Sequence, residues 1–223
     1  LKDLYSDFEA EIIITDPISS QLIKYLANTY LPMRLSFVNE AARLVKSSGG
    51  NLDDVLKGVG MDSRIGQHYF RPSPAWGGSC FPKDVVEVNN FYDSEEVNLP
   101  LIANIIESNK IQTQWTANML KSIHNEKKLN GIILVGAAFK EDTDDLRNSP
   151  TIDIYNELLA ENMNTMIYDD LIKSEEYLSM EDFEKLEGAH LIALMYPAKE
   201  NLMSKINSIV SNTNSFLYTP WQL

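Results

Sequence analysis

Cysteine is nearly absent from this 223-residue chain: Cys80 stands alone. One thiol cannot close an intrachain disulfide, which fits a reducing, cytoplasmic compartment. Histidine is scarce as well, and His68, His124 and His190 are too far apart for metal-ligand spacing, so no metal site is expected. No run of 18 apolar residues occurs, so no α-helical membrane span is expected, and no signal peptide is read at the N-terminus. Basic residues are in deficit, 19 against 32 acidic ones, and a net charge of −13 argues against nucleic acid or an anionic membrane as partner. A GxGxxG turn, the fingerprint of dinucleotide binding, occurs nowhere.

What is present is enough apolar sequence, 44%, to bury a real core. Charge is unevenly spread. Residues 140–187 hold 15 acids and 4 bases, whereas residues 20–84 hold 8 bases and 5 acids. A locally basic first half suits a small anionic substrate, and it equally suits solvated faces of mixed charge.

The opening LKDLYSDF reads as a short helix and EIIIT as a buried strand. Asp16–Pro17 then supplies an N-cap and a first-turn proline for a helix running to about Ser47, with apolar residues at Leu22, Ile23, Leu26, Tyr30, Met33, Phe37, Ala41 and Leu44. Pro32 should kink it, since the ring removes a backbone donor. SSGG ends it. NLDDVLKGVG predicts a short helix, DSRIGQHYFRPSPAWGGS an irregular segment, and helix resumes at Pro82 and from Leu99 to Asn125. Beyond NEKKLNG the pattern changes to short apolar runs, GIILVGAAF, MNTMIYDD, AHLIALMY and NSFLYT, alternating with helices. That alternation predicts a parallel sheet of the doubly wound kind. The expected division is residues 1–15 as the end of a preceding domain, a helical domain over 16–128, and an α/β domain over 129–223.

Three groups of residues carry candidate chemistry. In WGGSCFPKD (76–84), Pro82 starts a helix immediately after Cys80, and the helix N-terminus together with Lys83 favours a thiolate. A free cysteine is also commonly just a small buried hydrophobe. Lys24 and Asn28 lie one turn apart, either as a solvent edge or as donors to an anionic oxygen. GAAFKEDTDDLRNSP (136–150) leaves the end of the first strand, where open α/β sheets bind ligands.

The blocks KYLANTYLPMRLSFVNEAA (24–42), DSRIG (62–66), WGGSCFPKD (76–84) and GAAFKEDTDDLRNSP (136–150) together resemble the UDP-glucose/GDP-mannose dehydrogenase family. The resemblance implies an α + α/β build: a helical central domain with a long helix, followed by a Rossmann-like nucleotide-sugar-binding domain. The family's N-terminal NAD-binding domain has no counterpart here, so the chain reads as a fragment or one chain of a split protein. The implied reaction oxidises UDP-glucose to UDP-glucuronate in two steps, with NAD as cofactor and Cys80 forming a thiohemiacetal and then a thioester. Lys24 and Asn28 would stabilise oxyanions, and Asp84 would assist proton transfer and orient water.

By the same resemblance Arg64, Tyr69, Arg71, Ser73, Trp76, Gly77, Phe139 and Lys140 would contact the nucleotide sugar, Arg64 from a neighbouring subunit of a homodimer formed through the central helix. Lys83 and Arg147 would approach NAD. Ala75 and Trp76 stand where many UDP-glucose members carry glycine and Tyr or Phe, which leaves GDP-mannose as an alternative substrate. A non-catalytic binding or dimerisation remnant is the reading from another class.

Overall fold

The computed structural model describes residues 5, 7, 8, 11–94 and 97–221. Most of the opening LKDLYSDF therefore lies outside the described residues. Residues 11–15 are not the buried strand expected: they form no regular element, and Ile13 and Ile14 are largely exposed. Among the described residues no strand pairs with them.

The first half is helical. α1 (Pro17–Ser48) starts where Asp16 accepts the Ser19 N–H at 2.9 Å, and ends at Gly49 in the left-handed region. It runs unbroken through Pro32, which is buried. The proline forfeits one bond in a helix of 32 residues, and packing retains the rest. α2 (Leu52–Gly60) packs Leu52 and Leu56 against Val38, Ala42 and Phe70. The segment 61–80 contains only turns and bends. α3 (Phe81–Ser94), α4 (Pro100–Ala103) and α5 (Ile105–Lys127) follow, with Val85 and Ile105 closing a small core around Trp76.

The second half is a four-stranded parallel sheet of order β2-β1-β3-β4, made by β1 (Ile132–Val135), β2 (Thr165–Tyr168), β3 (Leu191–Leu194) and β4 (Phe216–Tyr218). β1 and β3 are buried on both faces, which is why they read as continuous apolar runs. On one face Ile132 and Leu134 meet Ala117 and Leu120 of α5 and Ile154 and Leu158 of α6 (Pro150–Ala160). On the other, Ile133 and Val135 meet Phe183 of α7 (Met180–Glu184) and Leu202, Ile206 and Ile209 of α8 (Glu200–Thr213). α5 thus serves two cores: its first turns cover the Trp76 cluster and its later turns cover the sheet. Among the described residues no helix is long and apolar enough to cross a membrane.

Candidate active site

The carbonyl of Cys80 accepts the Asp84 N–H at 2.9 Å, the first bond of α3, which puts the thiol at the helix start with its side chain exposed. The positive end of the helix dipole favours negative charge there. Ser79 Oγ lies 3.7 Å from Sγ.

One turn into α3, the Asp84 side chain is fully buried. α1 packs against α3 and projects two donors, one turn apart, onto one carboxylate oxygen: Lys24 Nζ and Asn28 Nδ2 each reach Oδ2 at 2.6 Å. Lys83 Nζ bonds Oδ1. Burial pushes this carboxyl up, but the bonds from Lys24, Lys83 and Asn28 outweigh it and hold the group at about 2. Lys24 and Asn28 share a buried anion, with Lys24 itself still largely exposed.

A pH test follows from that cluster. The contribution of a carboxyl held down from its ordinary 3.8 is fully present above that value and lost as pH falls through about 2. It amounts to at most about 2.5 kcal/mol, less the screening felt by two lysines some 60% exposed. Thermal unfolding of the parent and of Asp84→Asn between pH 5 and 2 should show a stability gap that narrows as the acid is titrated. Parallel curves would contradict an ionised, bonded Asp84.

The irregular segment leading to Cys80 is held by side chains from the helices on either side. Asn39 Oδ1 accepts the Ser73 N–H at 2.8 Å, and Gln112 Nε2 donates to the Ser73 carbonyl at 2.9 Å. Thr116 Oγ1 donates to the Pro74 carbonyl at 2.8 Å. Asn109 engages both backbone groups of Trp76, accepting the N–H at 3.0 Å and donating to the carbonyl at 2.8 Å. Trp76 Nε1 donates to Ser36 Oγ at 2.9 Å.

From the sheet side, Gly78 N–H donates to the Arg147 carbonyl at 3.1 Å, and Asn148 Nδ2 donates to the Gly78 carbonyl at 3.1 Å. Gly77 is required by close approach, since a Cβ there would stand 1.9 Å from the Asn148 carbonyl oxygen. Gly78 has φ of 92° and faces the Phe139 ring.

The structure thus gathers Lys24, Asn28, Lys83 and Asp84 one helical turn beyond Cys80, and sets the Phe139 ring against Gly78. Lys140 sits over the Phe139 ring, 5.4 Å from its centre. Arg147 is fixed by Asp145, with Nη2 to Oδ2 at 2.7 Å, and that bond raises the guanidinium above its ordinary value, as the bond to Asp84 does for Lys83.

Other candidates are engaged elsewhere. The Trp76 ring is buried against Val85 and Ile105, so the ring does not line an open surface. Ser73 Oγ donates to the Ala75 carbonyl at 3.2 Å. Arg64 is exposed and forked onto Asp62, Tyr69 is exposed at φ of 52°, and Arg71 lies over Trp221.

Sequence reading missed Ser36, Asn39, Asn109, Gln112, Thr116, Asn148 and Asp169. Asn109, Gln112 and Thr116 fall at i, i+3 and i+7, a polar stripe on α5 that marks an occupied face. Asp169, buried at the end of β2, accepts the Ala137 N–H at 2.7 Å and the Tyr196 hydroxyl at 3.0 Å, tying together the chain after β1, β2 and β3. Burial and the neighbouring Asp169 push the Tyr196 hydroxyl above its ordinary range. A small cleft of about 70 Å³ opens there, between Gly136, Asp169 and Lys199.

A helical bundle presenting a thiol at a helix start, docked on a parallel sheet whose first loop joins the site, defines a two-part α + α/β protein. Residues 18–111 match the sequence model of the UDP-glucose/GDP-mannose dehydrogenase family, central domain, and residues 133–216 match that of its UDP binding domain. The chain belongs to this family.

Similar proteins include UDP-glucose 6-dehydrogenase of Rickettsia felis, 37% identical over 96% of this chain and 46% of its own length, and UDP-glucose 6-dehydrogenase 1 of Glycine max, 32% identical over 94% and 44%. Among solved structures, a UDP-glucose dehydrogenase from Pyrobaculum islandicum matches with TM-score 0.75 at 27% identity, covering 87% of this chain and 47% of that one. A UDP-D-ManNAc dehydrogenase from Pyrococcus horikoshii shares the fold at TM-score 0.78 and 23% identity, covering 99% and 52%. The chain spans about half the length of the curated relatives it matches.

Proposed function

We propose that this chain supplies the thiol-bearing and nucleotide-sugar-binding parts, divided near residue 128, of an NAD-dependent nucleotide-sugar 6-dehydrogenase that converts UDP-glucose to UDP-glucuronate. The observation that carries this is the exposed Cys80 at the start of α3, beside a buried Asp84 that grips Lys24 and Asn28. The UDP-glucose 6-dehydrogenases among its relatives support the choice of substrate. A cytoplasmic setting would keep the thiol reduced.

NAD would supply the hydride acceptor for both oxidations. Lys83 and Arg147, exposed cations near the thiol, fit its diphosphate, whereas the described residues contain no glycine-rich βαβ cradle for it. The chain's own residues do the carbonyl chemistry. Cys80 as thiolate adds to the C6 aldehyde, forming a C–S bond and an oxyanion. Lys24 and Asn28 would be the donors that stabilise that oxyanion. Asp84, ionised and engaged on both oxygens, acts through those donors by fixing their direction. At the thioester stage water adds to the carbonyl carbon, the C–S bond breaks with the thiolate leaving, and a carboxylate and two protons are released.

Joining the chain to the part of the Rickettsia felis relative that it does not cover tests this. UDP-glucose-dependent NADH formation is expected from the joined protein and none from the 223-residue chain alone. Silence of the folded, joined protein with UDP-glucose and with GDP-mannose would favour a non-catalytic role.

The same reading assigns a homodimer to α1. Ile23, Leu26, Tyr30, Phe37 and Leu44 form one stripe, each about half exposed or more, an unusual amount of apolar side chain to leave in water. Sedimentation at micromolar protein should show a dimer that Phe37→Asp dissociates. A monomer in the parent would contradict it.

A further inference from the structure

We infer that Asn109 and Asn148 are positioning residues for the nucleophile: two carboxamides, one from each half of the fold, that clamp the backbone on either side of Gly77 and so fix where Cys80 stands. The inference rests on the reading of Cys80 as nucleophile, but its test does not.

The backbone of residues 73–78 belongs to no helix or strand, so its polar groups must be satisfied one at a time. Asn109, on the first turns of α5, holds Trp76 by both its N–H and its carbonyl, as a neighbouring strand would. Two residues on, Gly78 is held the same way by the other half: its N–H by the Arg147 carbonyl and its carbonyl by the Asn148 amide. Asn148 stands at φ of 49°, a conformation asparagine adopts more readily than most residues, and there its amide reaches Gly78. Gly77 lies between the clamps with no room for a side chain. Cys80 follows two residues after the second clamp and immediately before the helix whose first bond its carbonyl accepts. The thiol's place is therefore set at three points: α5, the 136–150 loop and the start of α3. Asn148 itself is exposed, so its hydrogen bond adds little to global stability while restraining a loop directly attached to the thiol.

The test uses the chain as it is, with two readouts: hydrogen exchange of the peptide over residues 76–80, and the rate of Cys80 alkylation by iodoacetamide. Asn109→Asp keeps the acceptor for Trp76 N–H but sets a carboxylate against the Trp76 carbonyl. Asn148→Gly tolerates the left-handed backbone and removes the amide, at the cost of a freer backbone at that position.

Each is expected to speed local exchange and change the alkylation rate about three- to tenfold, the equivalent of about one net hydrogen bond. Exchange in β1 and β3 should stay at the parent rate. A role confined to stability would move those strands as well and leave the folded thiol's reactivity unchanged. Parental exchange over 76–80 and parental alkylation in both variants would overturn the inference. A response in one variant alone would confine the role to that residue and overturn it for the other. If Asn109→Asp fails to fold, Asn148→Gly decides on the same readouts. Cys80→Ser, assayed for turnover, addresses the nucleophile reading separately.

Discussion

Cys80→Ser, placed in the chain joined to an NAD-binding domain, is expected to lower turnover of UDP-glucose at least about a thousandfold, or roughly 4 kcal/mol in barrier. The two halves of the reaction need the thiol unequally. Oxidation of the alcohol to the aldehyde needs a base and a hydride acceptor. The second oxidation needs a covalent adduct whose sulfur can later leave. Serine keeps the size and a hydroxyl, but an alcohol is a far poorer nucleophile near neutrality than a thiol with an ordinary pKa of about 8.5. The exposed position of Cys80 and the donors fixed on Asp84 are unchanged by the substitution, so the loss falls on the sulfur chemistry. A variant retaining more than about a tenth of parental turnover, a barrier change of only ~1.4 kcal/mol, would remove sulfur from the mechanism.

Gly77→Ala should have the largest effect on stability. The added methyl would stand 1.9 Å from the Asn148 carbonyl oxygen and 2.9 Å from Pro150 Cδ. The first is backbone, so a side-chain rotation cannot relieve it. Either the Cys80 segment or the 147–150 segment must move, breaking the Gly78 bonds to Arg147 and Asn148. Overpacking of this kind costs about 3 kcal/mol, which in a chain of this size lowers the melting temperature by about 6–12 °C. A melting temperature within about 1 °C of the parent, well under 1 kcal/mol, would mean the two segments are not in contact.

Local signals in the sequence were sufficient for most of the regular elements. Apolar runs gave β1 and β3 because both faces are covered, and Asp16–Pro17 marked the start of α1 because a capping carboxylate and a first-turn proline are local devices. Cys80 ahead of Pro82 placed the thiol at a helix start for the same reason. EIIIT misled because a strand depends on a neighbour, and no local pattern supplies one.

The site's internal wiring was hidden for a related reason. Lys24 and Asn28 could be assigned to one face, but their common partner lies 60 and 56 positions away, and only folding brings it there. Trp76 is expected at the nucleotide sugar only through the family resemblance, and no local pattern shows that its ring fills the core between α1, α3 and α5 or that Ser36 accepts its indole N–H. The carboxamides at 109 and 148 carried no signal beyond a polar stripe and an asparagine before a serine–proline pair.

The most direct measurement is a rapid acid quench of the joined enzyme during turnover of UDP-glucose, followed by mass analysis of the peptide holding Cys80. The expected result is a mass increase on Cys80 equal to the acyl adduct of the nucleotide sugar, absent in Cys80→Ser and smaller or larger according to the sugar and base supplied. Turnover with Cys80 unmodified at every quench time, or an adduct on any other residue, would contradict a covalent sulfur intermediate at this site.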